Sequence, residues 1–186
     1  MRLFLALLPD DKTKGKLYSV ARRMKELARK GNFTATDNLH LTLVFLGEIE
    51  ESALGKIIEL VEETTFEPFV VKTRNLGFFS HRGAKDVLVW HLERSSELVA
   101  LFNTVRLSCE KRGFTVEDRE YRPHFTIARK VVFPEDFAER HEYLNVPVVF
   151  MKCERLSLME SLRVNDRIMY RELHGKTMVA PPERRQ

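Results

Sequence analysis

Two short strings in this sequence join residue types that move protons to residue types that hold an anion. They are His40-Leu41-Thr42-Leu43 and His124-Phe125-Thr126-Ile127. Both read His-apolar-Thr-apolar, and their histidines stand 84 positions apart in a chain of 186 residues. Neutral imidazole accepts a proton and imidazolium donates one, both near neutral pH, so a pair can serve as base and acid in one turnover. Threonine hydroxyls donate hydrogen bonds to an anionic oxygen without adding charge. Brought together, the four groups suit in-line displacement at phosphorus. One histidine would activate the nucleophile, the other would protonate the leaving oxygen, and the hydroxyls would hold the equatorial oxygens. Arg129, three residues beyond Thr126, is a candidate phosphate ligand.

These groups need strands to aim them. Side chains alternate along a strand, so His40 and Thr42 share one face while Leu39, Leu41, Leu43 and Phe45 take the other. His124 and Thr126 likewise oppose Phe125 and Ile127. Strict alternation puts Arg129 on the apolar face, so it reaches the site only if the strand ends or bulges near Ala128. The surrounding pattern alternates strands and helices. Residues 1–8 form a strand-length apolar run. Leu17, Val20, Ala21, Met24, Leu27 and Ala28 recur at helical spacing, with Gly31 as the expected C-terminal stop. Residues 38–47 read as a strand and Leu54, Ile57, Ile58 and Val61 as a helical stripe. Residues 69–79 and 87–92 are β-rich, joined by a basic loop at 80–85. A third helix starts at a Ser95 or Ser96 cap, carries Leu98, Leu101, Phe102, Val105 and Cys109, and ends at Gly113. β-type runs surround Phe125, Val148 and Leu156, with a short helix after Pro134. No Pro/Gly/Ser-rich linker divides the chain. The expectation is a single α+β domain over residues 1–186, built from two similar halves, with a flexible tail at 176–186.

Composition narrows the class. With 44% hydrophobic residues, 13 Phe, and 31 basic against 27 acidic residues, the chain can build a core and is not of the disordered type. No uncharged run reaches a membrane span, and the N-terminal apolar run is too short for a secretory signal, which points to a cytoplasmic protein. Cys109 and Cys153 are isolated and read as buried small hydrophobes. A catalytic zinc wants about three protein ligands, and neither H-E-x-x-H nor a Cys/His cluster supplies them, so no metal and no cofactor is expected. Phosphate-loop, dinucleotide and nucleophile-elbow motifs are lacking too. His81, His91, His141 and His174 have no partner motif, and His91 is expected to be structural. Arg119, Arg122, Arg129 and Lys130 make a basic cluster beside the second motif, with Tyr121 as a possible base-stacking surface.

The strings 38–48 and 122–129 resemble the paired H-x-T-x signatures of the two-histidine (2H) phosphoesterase superfamily. Within it they are similar to the bacterial and archaeal RNA 2′,3′-cyclic phosphodiesterases, long called 2′-5′ RNA ligases. Residues 1–9 and 75–92 and the overall length are similar as well. The resemblance implies a bilobal α+β fold, two pseudo-symmetric halves whose antiparallel sheets form a central cleft with helices outside. It implies His40 as proton donor to the departing 3′ oxygen and His124 as proton acceptor from water. Thr42, Thr126 and Arg129 would bind the phosphate, which argues for a local bulge before Arg129. The implied substrate is RNA or a nucleotide with a 2′,3′-cyclic phosphate end, and the product a 2′-phosphomonoester, made by a monomer without metal. Alternatives are 2′-5′ RNA ligation, a phosphodiesterase for small cyclic or 2′-5′-linked nucleotides, and a non-catalytic RNA-end binding module. The loop at 80–85 lacks the Pro-rich character of relatives.

Overall fold

Six residues near the N-terminus, Arg2–Leu7, form strand β1, and all but the first are buried. Its odd residues Leu3, Leu5 and Leu7 enter the main core, whereas Phe4 and Ala6 join Met159 in a small cluster on the opposite face. The computed structural model of the chain describes residues 1–81, 84–117, 120–138, 146–165 and 167–179. Helix α1, Asp11–Leu27, follows at once: the Asp10 carboxylate accepts from the Thr13 N–H at 2.6 Å, a satisfied N-cap that holds this carboxyl below its usual pKa. Leu17, Val20, Ala21 and Met24 are its buried stripe.

Gly31 does not close this helix. The helix ends at an extended Ala28, and Lys30–Phe33 forms a short strand, β2. There Gly31 lies so close to Val131 that an added Cβ would stand 3.1 Å from its Cα. The glycine serves strand packing, a use that periodicity does not reveal. A 3-10 turn at Thr36–Asn38 leads into β3, Leu41–Glu48. Helix α2, Leu54–Glu63, precedes β4, Phe69–His81, and β5, Ala84–Leu92. Of the expected basic loop, Arg82 and Gly83 lie outside the described residues. Helix α3, Ser96–Lys111, is capped by the Ser95 hydroxyl and followed by Gly113 at φ +84°, as expected. Then come β6, His124–Val132, a 3-10 turn at Glu135–Ala138, β7, Phe150–Cys153, β8, Arg155–Val164, and β9, Arg167–Thr177. Strand β9 was not expected from the pattern, because both its faces carry charged residues. Val148 lies just outside β7. Part of the tail at 176–186 is also corrected: Lys176 and Thr177 belong to β9 and Met178 is buried, while 180–186 lie outside the described residues.

The strands make two antiparallel sheets, ordered β3-β1-β8-β9 and β2-β6-β5-β4-β7. The orders correspond: β3 matches β6, β1 matches β5, β8 matches β4 and β9 matches β7. In each sheet one helix links the antiparallel neighbours, α1 between β1 and β3, α3 between β5 and β6. The lobes are nevertheless not the two halves of the sequence. The second sheet takes β2, β4 and β5 from the first half, and β8 and β9, from the second half, complete the first. One continuous core joins the apolar faces of both sheets to the three helices.

Candidate active site

His40 sits between the 3-10 turn and β3, held by the buried Leu39 before it and Leu41 after it. Its Nδ1 lies 2.7 Å from the Asn38 carbonyl oxygen. A carbonyl only accepts, so Nδ1 carries the proton and Nε2 is left with its lone pair. His124, the first residue of β6, repeats the arrangement: Nδ1 donates to the Arg122 carbonyl at 2.6 Å. In both motifs the carbonyl two residues upstream fixes the tautomer, a relation legible from neither motif alone.

The rings have different walls. His40 packs at 4.8 Å centroid distance against both Phe4 and Tyr170, edge to face with the latter. His124 meets Phe79 edge to face at 4.8 Å, and Phe79 also touches His91 at 5.5 Å. Burial lowers the pKa of His40 from 6.5 to about 4; the Asn38 hydrogen bond opposes this, and the charges of His124 and Arg129 add to it. The charges of His124 and Arg129 act on His40 where β3 and β6 approach each other.

Arg129 reaches that cleft through a register shift. Val89 pairs with Thr126 and Leu88 with Ala128, so Ile127 is an extra residue in β6. Ile127 and Ala128 are consecutively buried, and Arg129 after them is exposed. Ala128 takes the Phe125 face, and Arg129 the face of His124 and Thr126. In the first motif a similar irregularity corrects an expectation. Leu5 pairs with Val44 and Ala6 with Thr42, which makes Leu43 extra and moves Phe45 onto the Thr42 side. Phe45 is accordingly exposed and packs on Phe4 rather than in the core.

Two hydrogen bonds brace the motif strands from the other part of the chain. The Tyr121 hydroxyl donates to the Thr42 carbonyl at 3.1 Å, and the Thr34 hydroxyl donates to the Thr126 carbonyl at 2.8 Å. Tyr121 is therefore no base-stacking surface: its ring stacks on Phe102 at 4.2 Å and burial pushes its phenol pKa up. Asn38 does more than offer its carbonyl. Its side chain donates to the Ile168 carbonyl at 2.8 Å and accepts from the Tyr170 N–H at 3.1 Å, tying β9, and with it Tyr170, to the segment that carries His40. Asn38 was part of the recognised string, but Tyr170 lies in the unforeseen strand. His91 stands directly across from His124 in the ladder, with its side chain on the cleft side, opposite the buried Trp90. Its ring packs against Phe79 and over Gly77. His174 pairs with Glu62 at 2.5 Å, away from the site, and His141 and Arg119 lie outside the described residues. Among the described residues no group of three His, Cys, Asp or Glu is arranged to hold a metal ion.

Two antiparallel sheets, with one tautomer-locked histidine from each and an arginine on the face of the second, make the arrangement of a phosphoesterase. The comparisons specify the family. Residues 15–165 match the model of the 2′-5′ RNA ligase superfamily, and the chain belongs to that family. It is 35% identical over 131 residues to the RNA 2′,3′-cyclic phosphodiesterase of Archaeoglobus fulgidus, covering 69% of this chain and 72% of that one. The Thermotoga maritima protein of the same name is 23% identical over 94% of both chains. Among solved structures, TT0787 of Thermus thermophilus superposes with a TM-score of 0.79 at 24% identity, covering 97% of this chain and 99% of that one. Escherichia coli LigT complexed with 3′-AMP superposes at 0.75 and 21%, over 95% and 97%.

Proposed function

We propose that this chain hydrolyses the 2′,3′-cyclic phosphate of RNA or nucleotide ends to a 2′-phosphomonoester, without metal, as a cytoplasmic monomer. The observation that carries the reading is the pair of imidazoles whose Nδ1 protons are committed to the Asn38 and Arg122 carbonyls, which supports proton transfer at each Nε2. Two relatives named for this activity over most of their length support it. The free thiols of Cys109 and Cys153, both buried and pushed up to about 12, suit a reducing compartment.

Water attacks phosphorus in line with O3′ and loses a proton to His124 Nε2. The P–O3′ bond breaks, and His40 passes a proton to the departing O3′, leaving phosphate on O2′. Thr42, Thr126 and Arg129 hold the non-bridging oxygens as charge shifts. If a 5′-hydroxyl replaces water as nucleophile, the same displacement yields a 2′-5′ phosphodiester, which accounts for ligation as a second activity. The exchanged assignment, His40 as base and His124 as acid, is favoured by one observation: with its pKa near 4, His40 is neutral in the free protein. An anionic phosphate beside it opposes that shift and supports the first assignment.

The test is product analysis on a 2′,3′-cyclic mononucleotide, on RNA ending in cyclic phosphate and on a 2′-5′ oligonucleotide, with and without chelator. A 2′-phosphate formed equally well with chelator present is the expected result. RNA binding with no product would favour an RNA-end binding module. A substrate with sulfur in place of O3′ separates the two assignments, because a thiolate leaves without a proton. The variant, His40→Gln or His124→Gln, whose defect this substrate repairs has lost the acid.

A further inference from the structure

Beside His124, residues from the middle of β4, the end of β5 and the segment before β6 line a cavity of about 300 Å³. Its walls include Arg74, His91, Arg94, Arg122 and Glu120. Three guanidinium groups converge there with one carboxylate to balance them. Glu120 lies 2.5 Å from Arg94 and 3.5 Å from Arg122, so it orients both and offsets one charge. Among the described residues no carboxylate pairs with Arg74, whose charge, like that of Arg122, acts on His91. The glycine at 77 is part of the construction: a Cβ there would stand 2.6 Å from the His91 Nε2, so its absence leaves room for the imidazole to lie across β4. The cavity is separated from the candidate active site by one ladder position, since His91 is the cross-strand partner of His124 and Phe79 touches both rings.

We propose that this cavity is a second phosphate subsite, which takes the phosphate on the 5′ oxygen of the nucleotide whose 2′,3′-cyclic phosphate lies between His40 and His124. The inference rests on the proposed reaction for the position of the first phosphate. The second then falls one ribose away, toward the 5′ side. A cavity of this size fits a solvated phosphate, lying at the small end of the range of roughly 300 to 1,000 Å³ for ligand sites. Arginines suit it, because their planar forks bind phosphate oxygens in pairs. Arg122 would link the two subsites: its carbonyl fixes His124 while its guanidinium faces the second phosphate.

The experiment is equilibrium binding by calorimetry at fixed low salt, comparing a nucleoside 2′,5′-bisphosphate with the same nucleoside 2′-monophosphate. It is run in the full chain and in its Arg74→Gln and Gly77→Ala variants. The expected result is a preference of about tenfold or more for the bisphosphate, falling to about twofold or less in Arg74→Gln, a change at an exposed side chain. A dinucleotide carrying a terminal 2′-phosphate forms a third arm. Preference for it assigns the subsite to an internal RNA linkage, and preference for the bisphosphate alone assigns it to a free 5′ end. Equal affinity of all three ligands, or a preference that survives both variants, overturns the proposal. Binding is read without turnover, so a protein that prefers the bisphosphate yet opens no cyclic phosphate removes the proposed reaction and leaves the subsite. A protein that hydrolyses cyclic phosphate with no 5′ preference does the reverse.

Discussion

In the first sheet the histidine is flanked by Phe4 and Tyr170, and the side-chain amide of Asn38, whose carbonyl holds the ring, is committed to β9. In the second sheet the histidine has Phe79 on one side, but Arg129 follows on its own face and Arg122 precedes it by two residues. Identical motifs, with the same carbonyl at the same offset, are thus set in one apolar and one basic environment. The contrast divides the work. An apolar cage disfavours imidazolium and so tunes a proton-transfer group, whereas a basic wall attracts and orients an anion. Two carbon-copy lobes would supply two equivalent imidazoles; the differing walls let one fold carry an acid and a base at the same pH.

The largest effects should come from the histidines. His40→Gln and His124→Gln are each expected to lower kcat by about 10³-fold, within the usual range for proton-transfer groups, with circular dichroism unchanged. Full activity in either variant would break the correspondence between the lobes. A second consequence concerns stability. Between pH 6.5 and about 4 the unfolded chain protonates His40 while the folded chain resists it, so the unfolded state binds more protons and stability falls as pH falls. The contribution is complete above pH 6.5 and is lost on passing down through about 4, with a ceiling of about 3 kcal/mol. Denaturant melts of wild type and His40→Gln across this window should converge, then cross, toward acid. Parallel curves would mean that the cage of Phe4 and Tyr170 does not set the proton affinity.

Arg129→Ala should reduce kcat/KM by about 100-fold, the scale of losing one charge-bearing donor at a transition state. This tests the bulge as much as the arginine. Much of the site was legible before the fold: both motifs and their shared faces follow from alternation in the sequence, and the break near Ala128 from the resemblance that gives Arg129 a role. The walls were not. Phe4 was read as part of a uniformly apolar first strand, although β1 is covered on both faces and Phe4 points away from Leu3 and Leu5. Tyr170 sits in a strand whose charged faces hide its period, and its approach to His40 depends on pairing over more than a hundred residues. The extra residue at Leu43, and with it the exposure of Phe45, is likewise a property of the ladder and not of the string. Asn38→Ala should sharpen the same point with a smaller effect. Losing both bonds to β9 loosens Tyr170, moves the His40 pKa back toward 6.5 and costs about tenfold in kcat, read as a shift of the acid limb of the pH profile.

The smallest expected effect bears on why the lobes keep their positions. Tyr121, from the segment before β6, braces β3 at Thr42, and Thr34, from the segment after β2, braces β6 at Thr126. The first bond crosses from the second lobe to the first sheet, whereas the second extends the β2–β6 pairing within the second sheet. Tyr121→Phe keeps the stack on Phe102 and removes only the hydroxyl, so about 1 kcal/mol of stability should be lost, and Thr34→Val should cost a similar amount. If each lobe held its own geometry, the two losses would add and neither variant would touch kcat. If the cleft is held by the pair together, the double variant should lose more than the sum, by about 0.5 kcal/mol or more, and its kcat should fall although no proton-transfer group has changed. Strict additivity in urea melts, with kcat unaltered, would reduce these bonds to ordinary packing and leave the interlaced sheets alone to fix the distance between the two imidazoles.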